Sequence, residues 1–144
     1  MDIKIKKLTP TAKMPVYSTD GSAGMDLFVD SVEGIQHGIA NHTKIKFGIA
    51  LEIPEGFCAL VLPRSSIHKS GMILSNSVGL IDSDYRGEIS AVFYDFCSEV
   101  YGPFDIGDRV AQLVIIPYPK INFVEVEELG ETQRGNGGYG STGK

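Results

Sequence analysis

The 144-residue sequence has no apolar run approaching the ~20 residues needed to cross a bilayer, so no transmembrane helix is expected. Its opening residues, MDIKIKK, place no apolar h-region after their charges. That argues against a signal peptide and for a cytoplasmic protein, or one in the nucleus or host cytosol if the source is viral. Positive charge is also scarce: 13 Lys and Arg stand against 18 Asp and Glu, giving a net charge of −5 and a pI of about 5.1. A general nucleic-acid surface would show a basic stripe, so direct nucleic-acid binding is not expected; a small anion in a locally positive pocket is still allowed. The only two cysteines, Cys58 and Cys97, sit in apolar runs and read as buried, unpaired thiols. His37, His42 and His68 show no metal-ligand spacing with each other or with the cysteines, and no zinc site is expected. Long helical periodicity is missing as well.

What is present is punctuation: 17 glycines and 7 prolines divide the chain into short apolar stretches. These read as strands and turns of an all-β sandwich or barrel, in a chain of one-domain length. Ile3, Ile5 and Leu8 open it as a strand with one wet face. Small residues in AGMDLF (Ala23 to Phe28) allow a close backbone approach, and Asp26 interrupts an otherwise apolar strand. A lone acid there either faces solvent or is aimed at a site. Pro54-Glu55-Gly56 reads as a turn with Pro second and Gly closing it. Phe57 to Leu62 is continuously apolar and reads as a strand buried on both faces. It ends at PRSS (Pro63 to Ser66), before a short helical turn over Ile67 to Ser70 that Gly71 stops. Ser65 or Ser66 could be its N-cap; the same hydroxyls, with Arg64 and free N–H groups, also suit a phosphate.

The chain is organised around Asn76 to Ile89, NSVGLIDSDYRGEI. Apolar Val78, Leu80 and Ile81 run in and Ile89, Ala91 and Phe93 alternate out, the pattern of a hairpin. Asp and Gly are ordinary in turns, and Tyr85 and Arg86 can decorate a surface. Yet Asp82, Asp84, Tyr85, Arg86 and Glu88 within seven residues exceed what a turn requires. Further on, GDRVAQLV (Gly107 to Val114) is a tight turn and an apolar strand in which Arg109 and Gln112 are anomalies. A buried Gln112 amide must bond backbone, a ligand or water. Ile121 to Glu127 alternates weakly as a last strand. The tail from Arg134 to Lys144 has five glycines in eleven residues. It is either a disordered terminus or an arm that orders on a ligand, for its arginine, tyrosine and Ser-Thr pair suit phosphate and a base.

In their order, AGMDLF, PRSS, GLIDSDYRGEI, GDRVAQLV and RGNGGYGSTG resemble the five motifs of the trimeric dUTP pyrophosphatase (dUTPase) family and span nearly the whole chain. The resemblance implies one jelly-roll-like β domain over residues 1–144, with a β core over 1–133, one short helix and a flexible glycine-rich arm over 134–144. It implies a homotrimer whose sites are shared between subunits, and hydrolysis of dUTP to dUMP and pyrophosphate, which limits uracil in DNA and supplies dUMP for dTMP synthesis. Asp82 matches the general base that activates the attacking water. Mg²⁺ would bridge the triphosphate oxygens, with Asp26 near its water shell. Asn76, Gly79 and the hairpin backbone would read uracil, and Tyr85 would pack on the deoxyribose and exclude a 2′-hydroxyl. Arg64, Ser65, Ser66 and Gln112 would hold phosphates. In the arm, Arg134, Ser141 and Thr142 would clamp the γ-phosphate, and Gly138 and Tyr139 would bring a ring over uracil.

The chain departs from the pattern at Tyr139, where Phe is common, at Ser66, where Gly is frequent, and at Met25, where Tyr or Leu is frequent. None of these removes a group the reaction needs. The dCTP deaminase family shares the fold and an Arg-Ser-Ser segment but lacks IDSDYRG. A binding protein that keeps the pocket and acts through partners is a second alternative; a purely structural β domain does not explain the arm.

Overall fold

A computed structural model of the chain describes residues 1–37, 40–96 and 104–138. Among them run eleven strands: β1 (Lys4–Lys7), β2 (Val16–Tyr17), β3 (Met25–Phe28), β4 (Ser31–His37), β5 (Ala40–Lys46), β6 (Ile49–Glu52), β7 (Phe57–Pro63), β8 (Met72–Leu74), β9 (Gly79–Ile81), β10 (Ser90–Asp95) and β11 (Arg109–Pro117). One 3-10 helix, Ser65–Lys69, joins β7 to β8. All pairing is antiparallel, in sheets ordered β2-β3-β11-β7-β9, β4-β5-β10-β8 and β1-β6. The sheets do not close on themselves, so of sandwich and barrel the chain is a sandwich.

Strand alternation builds the core. Leu27, Ala59, Val61, Ala111 and Leu113 point inward from the five-stranded sheet and meet Ile45, Met72, Leu74, Ala91 and Phe93 of the four-stranded one. Phe93 and Phe47 are essentially sealed, and truncating either to Ala would cost about 3–5 kcal/mol. The second face of β7 differs from expectation. Of the residues on that face, Cys58 is buried, while Leu60 and Leu62 are only half-buried.

Three local readings are corrected. The stretch around Asp82 is not a hairpin: β9 pairs with β7, and β10 pairs with β5 and β8. Residues 82–89 instead cross from one sheet to the other, and Ile89 is fastened to both sides of the β5–β6 bend by Ile89 N→Ile49 O (2.8 Å) and Phe47 N→Ile89 O (3.1 Å). The turn before β7 spans Pro54 to Phe57, with Phe57 N→Pro54 O at 3.2 Å. Gly56, at φ 84°, takes its third position, where a left-handed backbone favours glycine. Finally, Ile121–Glu127 forms no strand: residues 119–136 are exposed, and Phe123 is 91% exposed. Its alternation is that of a strand, but no strand among the described residues pairs with it.

Candidate active site

β3 sets Asp26 opposite Gln112 of β11, which lies opposite Leu62 of β7. Gly24 makes this approach possible, since a Cβ there would come within 3.3 Å of Gln112 Cβ. Asp26 is 1% exposed, so it does not face solvent. Its Oδ1 accepts from Arg64 Nε at 3.0 Å and from Gln112 Nε2 at 3.4 Å. Oδ2 accepts from Ser18 Oγ at 2.7 Å and from Arg109 Nη1 at 3.1 Å. Burial pushes the carboxyl pKa up. The Ser18 hydroxyl, the Arg64 charge, Gln112 and the Arg109 charge outweigh it and hold Asp26 below the ordinary carboxylate range. Gln112 thus meets a carboxylate, a partner that the sequence had left open.

The Asp26 carboxylate is satisfied by partners within the chain. Both its oxygens are occupied, and the described residues contain no group of three or more His, Cys, Asp or Glu able to hold an ion. What Asp26 does is aim Arg64. Its grip on Nε fixes the guanidinium, whose Nη2 has no partner among the described residues.

Ser65 and Ser66 follow as exposed residues of the helix's first turn. Neither is the N-cap. Arg64 occupies that position with extended backbone (φ −70°, ψ 152°) and makes no side-chain capping bond. The helix begins two residues earlier than the Ile67 start expected, so both hydroxyls fall inside it and project to solvent.

Past β8, a tight turn with Ser77 at φ 61° presents Asn76, which is exposed. Asn76 and Gly79 line a cleft of about 320 Å³ with Ser75, Ser90 and Val92. Gly79 packs closely, as a Cβ would lie 3.2 Å from Val61 Cβ. Asp82 is exposed and opens the next turn, closed by Tyr85 N→Asp82 O at 3.2 Å. A smaller hollow of about 180 Å³ is lined by Leu80, Ile81, Asp82, Tyr85, Glu88 and Ser90. Tyr85 is folded over Gly87, where an added Cβ would sit 2.3 Å from its hydroxyl oxygen. That hydroxyl donates to the Glu88 carbonyl at 3.1 Å. Arg86 bonds the Ser83 and Tyr85 carbonyls of its own turn.

The two groups of residues stand apart. Ile81 of β9 pairs with Ala59 and Gly79 pairs with Val61, so Asp82 lies beside the start of β7 while Arg64 follows its end. From the Cys58 level to Arg64 is six residues, a separation of about 20 Å at strand rise. No hydrogen bond or ion pair among the described residues joins the Asp82 loop to the Asp26 cluster. The arm joins neither. Arg134 is exposed and turns onto itself, with Nε donating to Gly137 O at 2.8 Å, and Gly138 is exposed. Tyr139, Ser141 and Thr142, and likewise Cys97 and the Gly102-Pro103 turn, lie outside the described residues. Cys58 is a buried free thiol.

Sequence reading did not single out Ser18, Arg109 or Glu88 for a site. Arg109 carried a signal as a charge at the head of an apolar strand. Ser18 carried none, because only the β2–β3 pairing brings it to Asp26.

A sequence profile of the dUTPase family matches residues 10–143. The chain belongs to the dUTPase family. It is 43% identical over 145 residues, 99% of each chain, to the deoxyuridine 5′-triphosphate nucleotidohydrolase of Hydrogenobaculum sp. (strain Y04AAS1). The Staphylococcus bacteriophage 80alpha dUTPase with dUPNHPP superposes with a TM-score of 0.83 at 26% identity, covering 99% of both chains. A dUTPase of phage phi11 of S. aureus, which coordinates a structural Mg(II) ion, shares the fold with a TM-score of 0.72 at 22% identity, over 89% of this chain and 98% of that one. The sandwich is therefore the jelly-roll-like fold of dUTPases.

Proposed function

We propose that the chain hydrolyses dUTP to dUMP and pyrophosphate, at sites built between copies in a homotrimer. The observation that supports this most is the ~20 Å between Asp82 and Arg64, at opposite ends of one strand. Both groups are needed by one triphosphate, so the Asp82 loop of one copy serves the Asp26 cluster of another. In that reading Asn76, Gly79 and Tyr85 hold the deoxyuridine, with the Tyr85 ring against the sugar where a 2′-hydroxyl would stand. Arg64, Ser65, Ser66 and Gln112 hold phosphates, and Arg64 arrives already oriented by Asp26, so little ordering remains to be done on binding. Arg134, Ser141 and Thr142 take the γ-phosphate, while Gly138 lets the arm bring Tyr139 over the base.

Asp82 removes a proton from water as the water oxygen attacks the α-phosphorus. The α–β bridging P–O bond breaks, and pyrophosphate leaves with its electron pair. Mg²⁺, held through the substrate's phosphates, would offset the triphosphate charge. Asp26 serves by holding Arg64.

The test is pyrophosphate release, together with ammonia release, from dUTP, dCTP, dTTP and UTP in the presence of Mg²⁺. Pyrophosphate from dUTP alone supports the proposal. Ammonia from dCTP would make the chain a deaminase, and no turnover of any of the four by a folded oligomer would leave a binding role.

A further inference from the structure

Tyr85 is 45% exposed, and no core packing holds its ring. An exposed tyrosine ordinarily exchanges rotamers on the ps–ns scale. Here one hydrogen bond, from its hydroxyl to the Glu88 carbonyl, bends it over Gly87. The tether is only as firm as Glu88.

Glu88 is fixed unusually well for a loop residue. Its Oε1 accepts from Gly48 N at 3.1 Å, and its neighbour Ile89 is bonded on both sides to Phe47 and Ile49. Gly48 cannot shift easily. It sits at φ 64°, its carbonyl accepts from Leu8 N at 2.7 Å, and a Cβ there would come within 2.7 Å of Asp30. Asp30 is in turn held by the Thr9 and Thr11 hydroxyls, both at 2.8 Å. A continuous chain of contacts therefore runs from the bend between β5 and β6 to the tyrosine. Its side-chain link into the tyrosine's loop is one carboxylate–amide bond, from Gly48 N to Glu88 Oε1, of the charge-assisted kind.

We propose that Glu88 is a positioning residue for sugar selection: its carboxylate anchors the loop to Gly48, and its carbonyl holds Tyr85 in place. This rests on the reading of the chain as a dUTPase. A ring held against C2′ rejects an added hydroxyl; a ring free to swing admits it.

The test compares wild type, Glu88→Ala, Glu88→Gln, Tyr85→Phe and the double variant Glu88→Ala/Tyr85→Phe. Glu88→Ala should lower the ratio of kcat/KM for dUTP over UTP about tenfold, the worth of one hydrogen bond to a charged group. The loss should come through better use of UTP, with kcat for dUTP little changed. Glu88→Gln should restore the ratio, because its amide oxygen still accepts from Gly48. Tyr85→Phe, whatever its effect on kcat, should lower the dUTP/UTP ratio to the same extent as Glu88→Ala, and the ratio in the double variant should be no worse than in either, since both cut one tether. An unchanged ratio in Glu88→Ala, or losses that multiply in the double variant, would overturn the proposal. A turnover-independent readout uses protein carrying 3-fluorotyrosine, with the Tyr85 ¹⁹F signal assigned by its loss in Tyr85→Phe. That signal should shift and narrow in Glu88→Ala and not in Glu88→Gln; an unmoved signal overturns the tether. Failure of wild type to hydrolyse dUTP would instead count against the dUTPase reading, and the ¹⁹F result would still decide the tether.

Discussion

At the end of β7, four donors converge on a carboxylate that is 1% exposed, and the arginine they help to orient leads straight into a helix of exposed hydroxyls. At its start, Asp82 stands in solvent on a loop whose hydrogen bonds close its own turns and reach Gly48 only through Glu88. The first region is assembled by tertiary structure and is rigid before any ligand arrives. The second is shaped locally and offers an exposed carboxylate to solvent. The contrast suggests a division of labour. In the proposed reading, the half that would bind phosphate is built into the fold, while the half that carries Asp82 would gain its partner from another copy.

Breaking each half should therefore fail differently. Asp82→Asn should lower kcat for dUTP by about 10²–10⁴, the usual worth of a general base, with an unchanged melting temperature. Retained kcat would remove Asp82 from that role. Asp26→Leu should do the reverse and cost stability first. It leaves Arg64 and Arg109 without their counter-charge, but both guanidinium groups keep contact with water, so the loss is that of charged hydrogen bonds, about 1–3 kcal/mol, measurable by urea unfolding. If that variant unfolds at the wild-type urea midpoint, the cluster is not the rigid half. Deleting Arg134–Lys144 should leave the urea midpoint unchanged and reduce turnover by about tenfold or more, because a closing arm contributes only once substrate is bound. Full kcat in the truncated chain would make the arm a passive tail.

The smallest effect concerns pH. Asp26 has a lower pKa folded than unfolded, so the unfolded chain takes up its proton first as the solution is acidified. Its contribution is complete above the unfolded value near 3.8 and is lost as pH falls below it through the folded value. Asp26→Asn should flatten the decline of stability in that acid range and leave the slope between pH 6 and pH 8 unaltered. A variant whose acid decline matches wild type would mean that Asp26 is not held as an ion.

Much of this could be read from the residues, because alternation and turn chemistry are local. AGMDLF, Phe57 to Leu62 and GDRVAQLV each became a strand where expected. What could not be read is partnership. Leu80 and Ala91 flank a polar turn as hairpin strands would, yet they pair in different sheets. Ile121 to Glu127 has strand alternation but pairs with no strand among the described residues. Asp26 interrupts an apolar strand as a solvent-facing or site-directed acid would; only its burial, with Ser18 and Arg109 alongside, reveals an anchor. Each miss turns on contacts far apart in sequence, which periodicity does not encode.

The central claim is that Asp82 and Arg64 act on one substrate from different copies. The direct measurement co-expresses Asp82→Asn chains with Arg64→Gln chains, the latter keeping a donor for Asp26, and assays dUTP hydrolysis by the purified mixed oligomer. Each variant alone should be nearly inactive. Random mixing across a heterologous interface should return about a quarter of wild-type activity, because some sites then draw both intact residues. If each site lay within one chain, every site would carry a lesion, and a mixed oligomer as inactive as its parents would contradict the account.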